Sequence, residues 1–295
     1  MKFTIITPTY NREYIIERTI KSILKQHYQN FEMIIIDDGS QDKTSELMRK
    51  YNDNSKIKYI EMSENQGVNI ARNIGFKNIS DDTDWIVLLD SDDEFFPDAL
   101  DKMKKVIENN SSYNYLRFAE VYTTGKKACF AKVDNFVADY ESTVVGEDVY
   151  GGWTAIFHKS VIDKGFQFNE TVNGFESIDW FELSKKEKCL YSLEVVKLYQ
   201  TDTSSLTRPS TKDWKFYQNC KIGNELLFKM HGEDMEKFNS KYLPSTLYEL
   251  GKLNIIMGER REGLLYTFKA LKYAPFNLRF FRNLLKLFMP KMKEI

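Results

Sequence analysis

Four acids lie within five residues at the end of an apolar run, Leu89-Asp90-Ser91-Asp92-Asp93-Glu94. Carboxylates crowded in this way repel one another unless a cation neutralises them. A hard divalent ion is suited to neutralise them, since Mg2+ or Mn2+ takes one or two carboxylates and completes its shell with phosphate oxygens, as in a nucleoside diphosphate. The same acids also suit a solvated loop that caps the next helix. A second apolar run ends in Asp37-Asp38-Gly39-Ser40, where a carboxylate can cap a helix or accept hydrogen bonds from a base or ribose. The first run ends in Pro8-Thr9-Tyr10-Asn11-Arg12, whose amides and small polar groups serve a helix cap or an anionic or heterocyclic ligand. In the second half, Glu176-Ser177-Ile178-Asp179-Trp180 opens a helix. An acid there gains from the helix dipole in any case, and beside an aromatic wall it can also act as a general base.

The elements that must carry these residues are legible in the periodicity. Residues 3–7 and 33–37 are β-branched runs suited to buried parallel strands, and Ile15, Ile16, Ile20, Ile23 and Leu24 recur between them at helical spacing. Asp42 suits the cap of a helix through Tyr51; Ile57 to Ile60 reads as a strand, Val68 to Phe76 as a helix and Trp85 to Leu89 as a further buried strand. This alternation predicts an α/β fold with a doubly wound sheet, whose ligands sit beyond the carboxyl ends of the strands. A helix from Pro97 to about Asn109, strands over Tyr115 to Thr123 and Ala128 to Phe136, loops through residue 177 and a helix over Asp179 to Lys188 follow. After a polar loop at 201–211 the remainder reads as helical, with one partial match to tetratricopeptide spacing at Tyr248, Gly251, Phe268 and Ala270 to Pro275.

Composition sets the outer bounds. The 295 residues carry 42 Lys plus Arg against 43 Asp plus Glu, with 42% hydrophobic and 14% aromatic residues, enough to bury a large core. Cys129, Cys189 and Cys220 show no CxxC pairing and no zinc-ligand spacing, and the N-terminal apolar run is too short for a signal peptide. No window approaches eighteen apolar residues, so the expected compartment is the cytosol. The near-neutral charge hides an asymmetry: Lys269 to Ile295 holds seven basic residues against Glu294, leaving an acidic body. That pattern favours an anionic partner at one end of the molecule over nucleic acid along a face. Within the tail, Phe276, Phe280, Phe281, Leu284, Leu285, Leu287 and Phe288 fall on one side of a helix and Arg279, Arg282, Asn283 and Lys286 on the other. Such a helix packs on its neighbours or lies on an anionic membrane surface through residues 276–295.

Taken together, the four spaced segments resemble family 2 glycosyltransferases, inverting enzymes of the GT-A fold. The resemblance implies a GT-A domain over 1–208, with a nucleotide-sugar half at 1–100 and an acceptor half at 101–208, followed by a helical region at 209–295. By the same resemblance Pro8, Thr9, Tyr10 and Asn11 wrap the nucleotide, Asp38 meets the base, and Arg72 in Ala71-Arg72-Asn73-Ile74-Gly75 approaches the nucleotide-sugar. Asp90 and Asp92 contact ribose and sugar, Asp93 with Asp92 holds Mn2+ or Mg2+, and Asp179 is the base. The family has Glu-Asp adjacent there, whereas Ile178 precedes Asp179, which makes Glu176 the alternate. Arg208, in Thr203 to Arg208, resembles a late diphosphate contact, while Trp153 suits an acceptor platform or a packed ring. His27 and His231 read as superficial. The implied partners are a nucleotide-sugar donor, with UDP the expected nucleotide, and a glycan or lipid-linked acceptor of bacterial surface polysaccharide assembly. A non-catalytic nucleotide-binding scaffold or a nucleotidyltransferase are the alternatives, but the latter calls for a Gly-rich basic loop where Pro8-Thr9-Tyr10-Asn11-Arg12-Glu13 stands.

Overall fold

The run Phe3–Thr9 forms β1, buried at every residue, as its β-branched composition demands of a strand covered on both faces. Around it a computed structural model describes residues 1–200, 212–277, Asn283 and Leu285. In chain order the first elements are α1 (Ile16–Leu24), β2 (Phe31–Asp37), α2 (Thr44–Met48), β3 (Ile57–Glu61), α3 (Val68–Phe76), β4 (Trp85–Leu88), β5 (Glu94–Phe95), α4 (Ala99–Asn109) and β6 (Tyr115–Tyr122). They continue with β7 (Cys129–Ala131), β8 (Phe136–Ala138), α5 (Tyr140–Val145), β9 (Val149–Gly151), β10 (Trp153–His158), α6 (Lys159–Asp163), α7 (Glu176–Ser184) and β11 (Cys189–Tyr199). The helices α8 (Trp214–Lys237), α9 (Leu243–Ile256) and α10 (Arg260–Tyr273) follow.

Among the described residues one sheet has the order β3-β2-β1-β4-β10-β6-β11-β5, with β8 also on β11. Strands β1 to β4 are parallel, and β10 enters antiparallel between β4 and β6. The sheet is therefore mixed and doubly wound, as the alternating pattern predicts. Pro8 is tolerated in an inner strand because β4 stops pairing at Leu88, opposite Ile6, so that β1 runs on alone on that side. Gly75 lets α3 lie close on β1: a Cβ there would stand 2.6 Å from Ile6. The core beneath the sheet joins Ile16, Ile20 and Ile23 of α1 to Leu100, Met103 and Ile107 of α4.

The strands after β6 depart from the sequence reading, and the helix read over 179–188 is α7, Glu176–Ser184. Ala128 to Phe136 is two short strands, β7 and β8, that join different sheets. The stretch expected as loops through residue 177 contains β10, a central strand; its short apolar run follows a Gly pair and gives no alternation. The strand β11 also carries no clean period, because a bulge interrupts its pairing with β6 between Ser192 and Lys197.

Two units divide the chain. The first comprises Met1–Asp139, Asp148–Glu170 and the chain from Glu182 through β11. The second comprises Tyr140–Glu147, Thr171–Phe181 and the helices beyond residue 211. The sequence division at residue 208 thus differs by two segments that group with the helices. In the second unit Val144, Ile178, Phe181, Leu227, Leu247 and Ala270 share a core. Gly251 and Gly263 bring α9 and α10 together, since a Cβ on Gly251 would meet Thr267 Oγ1 at 2.5 Å. His231, read as superficial, is buried there, with Nδ1 3.0 Å from the Tyr140 hydroxyl. Of the tail, Asn283, placed by sequence on the basic side, is buried and donates to Tyr248 O at 3.0 Å, while Leu285 of the apolar side is 70% exposed. No helix among the described residues is long and apolar enough to cross a membrane.

Candidate active site

The loops after β1 and β2 are stitched to each other. Asn11 adopts φ 52°, and its Oδ1 accepts from Gln41 N at 2.8 Å while its own N donates to Ser40 Oγ at 2.8 Å. Asp38, nearly fully buried, accepts from Gln66 N at 2.7 Å and Gly67 N at 2.8 Å, fixing the start of α3. Burial lifts Asp38 above the ordinary carboxylate range, against those two donors, and Asp37 adds to the rise. Thr9 Oγ1 is buried without a hydrogen-bond partner among the described residues, and Tyr10 is exposed.

Helix α3 supplies the next layer. Asn73 clasps Phe168 by donating to its O at 2.9 Å and accepting from its N at 2.8 Å. Arg72, one residue earlier, lies over the Phe168 ring and donates to Asp90 Oδ1 at 2.9 Å. Partial burial opposes the charge on Asp90; Arg72 first, then Lys197, overcomes it and holds the carboxyl below its usual range. The Asp90 side chain keeps 47% of its exposure, so it is held on one side and open on another.

The acidic turn itself hangs on α1. Thr19 Oγ1 donates to Ser91 O at 2.9 Å and Asp93 O at 2.8 Å, Arg18 donates to Asp92 O at 3.1 Å and pairs with Glu94 at 3.0 Å, and Ser22 Oγ accepts from Phe95 N at 3.1 Å. Asp93, only 1% exposed, turns inward: its Oδ2 lies 2.7 Å from Lys197 Nζ, and its Oδ1 accepts from Gln200 N at 3.1 Å. Lys197 also reaches Glu120 at 3.0 Å. Burial pushes both Asp93 and Glu120 upward, while the surrounding carboxylates keep the Lys197 ammonium charged against its own burial.

Sequence reasoning missed Lys197, Glu120, Arg18 and Thr19. The polar stripe Thr19, Ser22, Gln26 at spacings of three and four on an otherwise apolar helix face was the available signal; β11 gave none. Trp153 is a packed ring, donating to Tyr150 O at 3.1 Å and set edge-on to Tyr191. Asp179 is 5% exposed on the first turn of α7 in the second unit, and the half-buried Glu176 opens that same turn three residues earlier. Arg208 lies outside the described residues.

The four carboxylates of Asp90, Asp93, Glu94 and Glu120 pair with Arg18, Arg72 and Lys197, Arg12 acts on Asp90 from further off, and Asp92 adds a fifth carboxylate to the same turn. Negative charge remains in excess. Among the described residues no three His, Cys, Asp or Glu side chains are grouped to hold a metal. That is compatible with Mg2+ or Mn2+ at a diphosphate, which needs only one or two carboxylates from the protein. The donor set therefore fits a hard divalent ion carried in with its phosphates.

The pattern of glycosyl transferase family 2 matches residues 4–164. The minor teichoic acid biosynthesis protein GgaA of Bacillus subtilis is 31% identical over 204 residues, 63% of this chain and 44% of that one. The GalNAc(5)-diNAcBac-PP-undecaprenol β-1,3-glucosyltransferase of Campylobacter jejuni is 28% identical, over 68% of this chain and 64% of its own. An uncharacterized glycosyltransferase of Rickettsia conorii is 39% identical over 126 residues, 20% of its length, so this chain spans only part of such relatives. The fold is that of S. aureus TarS 1–349 in complex with UDP-GlcNAc, at TM-score 0.64, 16% identity and 97% of this chain against 88% of that one. A mannosyltransferase of Pyrobaculum calidifontis, solved with GDP-Man and Mn2+, gives TM-score 0.57 at 15% identity over 97% and 85%. By the span of that family match and the GT-A fold that holds its motifs, the chain belongs to glycosyl transferase family 2.

Proposed function

We propose that this chain transfers a sugar from a nucleoside diphosphate, UDP in the first instance, to a hydroxyl of a glycan or lipid-linked acceptor, inverting the anomeric centre. The observation that carries the reading is the Arg72–Asp90 pair at the end of β4, an acid held by a cation of the helix whose start Asp38 fixes, where a donor's diphosphate and sugar would lie. Pro8, Thr9, Tyr10, Asn11 and Asp38 take the nucleotide, the buried Thr9 hydroxyl having a hydrogen bond to give, and Arg208 adds a fork to the diphosphate. Mn2+ or Mg2+, met by Asp92 within the acidic turn, would supply Lewis-acid stabilisation of the departing diphosphate. Asp179, or Glu176 in its stead, takes the proton of the acceptor hydroxyl as the new C–O bond forms and the bond to the diphosphate breaks. A single displacement with one base and no covalent nucleophile inverts the centre.

Support comes from relatives named for teichoic acid and undecaprenol-linked glycan assembly and from neighbours solved with UDP-GlcNAc or with GDP-Man and Mn2+. A cytoplasmic site of action, with the basic tail on an anionic leaflet, belongs to the same reading. Incubation of the chain with a panel of UDP- and GDP-sugars, with Mn2+ and with EDTA, tests it. Turnover of one donor with release of its nucleoside diphosphate is expected, and indifference to every donor overturns the reading.

A further inference from the structure

The acid that ends the run Asp90-Ser91-Asp92-Asp93 does not face the outside of the turn. Its carboxylate is 1% exposed, and both oxygens are engaged, one by the Lys197 ammonium at 2.7 Å and the other by the Gln200 amide at 3.1 Å. Lys197, itself buried, is also paired with Glu120 at 3.0 Å, and Glu120 is in turn fixed by the Thr154 hydroxyl at 3.2 Å. The result is a bridge from the acidic turn through β11 to β6 and β10. Its backbone counterpart is the pairing of Lys197 with Phe95 and of Leu198 with Glu94. A divalent ion brought to Asp93 Oδ2 would have to displace an ammonium already at bonding distance. Asp92, one residue earlier, is less buried than Asp93, and its backbone O is held by Arg18 at 3.1 Å.

We propose that Lys197 is a positioning residue that ties Asp93 to Glu120 and so reserves Asp93 for the protein, leaving Asp92 to meet the divalent ion. This rests on the metal–nucleotide reading above and revises the ligand that the family resemblance names. Lys197 touches no reacting atom; it acts by keeping Asp93 out of the metal's shell and by holding the turn that presents Asp92 and Asp90. Loss of its charge frees a carboxylate beside the metal and removes a repelling cation, so binding of the ion tightens while the turn loses its brace.

The test is Mn2+ uptake by the full chain in the presence of UDP, followed by electron paramagnetic resonance alongside kcat and KM. Asp92→Asn should weaken Mn2+ binding by about tenfold or more, whereas Asp93→Asn should change it by less than about threefold while slowing turnover. Lys197→Met should tighten Mn2+ and alter its spectrum while kcat falls about tenfold. Lys197→Arg should restore the wild-type spectrum, and adding Asp93→Asn to Lys197→Met should abolish the extra affinity. If Asp93→Asn loses the ion and Asp92→Asn keeps it, the proposal is overturned; the same follows if Lys197→Met leaves spectrum and kcat unmoved. Should Lys197→Met fail to fold, the two aspartate variants and Lys197→Arg still decide. A wild-type chain that binds UDP by calorimetry yet takes up no Mn2+ overturns the metal reading itself, a result separable from a displaced ligand.

Discussion

The guanidinium of Arg72 rests over the Phe168 ring and donates to Asp90 Oδ1 at 2.9 Å, so that one residue of α3 joins the segment after β10 to the end of β4. Neither partner alone would hold this geometry. Asn73 fastens Phe168 by two hydrogen bonds to its backbone, and the ring then limits where the guanidinium can lie. On the function proposed above, the pair is a preset cation for the charge that collects on the leaving diphosphate.

Replacement of Arg72 by Met should therefore lower kcat by about 10²- to 10³-fold, the scale for loss of a preorganised donor to developing charge. Arg72→Lys should recover little, because an ammonium lacks both the planar stack and the fork. Steady-state kinetics with the donor found in the panel provides the check, with circular dichroism to show that the fold persists.

Asp179→Asn should leave UDP binding near wild type and reduce transfer about a hundredfold or more, the ordinary weight of a positioned base. A deeper loss for Glu176→Gln would transfer the role to Glu176. Anomeric analysis of the product by NMR should show inversion, and retention would discard the single displacement.

Glu32 offers a pH-dependent prediction away from the site. Burial raises its carboxyl, but the Ser80 hydroxyl, Thr4 and the Ser80 amide outweigh that and hold it below the ordinary glutamate value. A depressed acid contributes stability above the unfolded pKa and loses it as pH falls through the folded one. Glu32→Gln should accordingly cost about 1.5–3 kcal/mol at pH 7, the range for hydrogen bonds to a charged group. The difference in Tm from wild type should shrink steadily below about pH 4.5, where the unfolded glutamate begins to protonate. A gap that stays constant down to about pH 3 would contradict the assignment.

Gly39, between Asp38 and Ser40, stands at φ +71° with the Glu64 carbonyl carbon 2.5 Å from where a Cβ would be. Both the dihedral and the close backbone exclude a side chain. Gly39→Ala should destabilise by about 1–3 kcal/mol and displace Asp38, and hence weaken UDP binding measured by calorimetry.

The tail separates two readings by one residue. Asn283 donates to Tyr248 O at 3.0 Å and Thr267 Oγ1 at 3.3 Å, so deletion of 276–295 should lower Tm by itself. Reversing charge at Arg279, Arg282 and Lys286 keeps Asn283, and should abolish salt-sensitive recovery with anionic liposomes. Equal recovery of wild type with neutral and anionic vesicles would leave packing as the tail's whole role.

The donor half was largely legible because its elements obey single rules. Val68 to Phe76 is a helix at the predicted bounds, and the β-branched run at 33–37 is a strand buried on both faces. The acids of the turn were legible as a group, yet their division of labour was not. Asp92 and Asp93 look alike in sequence; a lysine over a hundred residues later in the chain makes them different, and no local pattern predicts that pairing. The strand β10 was hidden for a related reason: its neighbours β4 and β6 are distant in sequence, so nothing nearby marks it as central.

That late strand has a consequence for how the molecule is made. Ile156 pairs with Val87 and Leu116, so a chain leaving the ribosome carries the open edges of β4 and β6 until residues 153–158 arrive to close them. Long-range closure of this kind is slow and leaves strand edges exposed to wrong partners. The ammonium that balances Asp93 and Glu120 emerges later still, on β11. Until then those two acids have no Lys197 beside them, and the electrostatics of the site stay incomplete until β11 has been made. A fragment ending near residue 100 would keep the segments around Pro8, Asp38, Arg72 and Asp90 and still lack strands β6, β10 and β11 and the Lys197 cation that fix them.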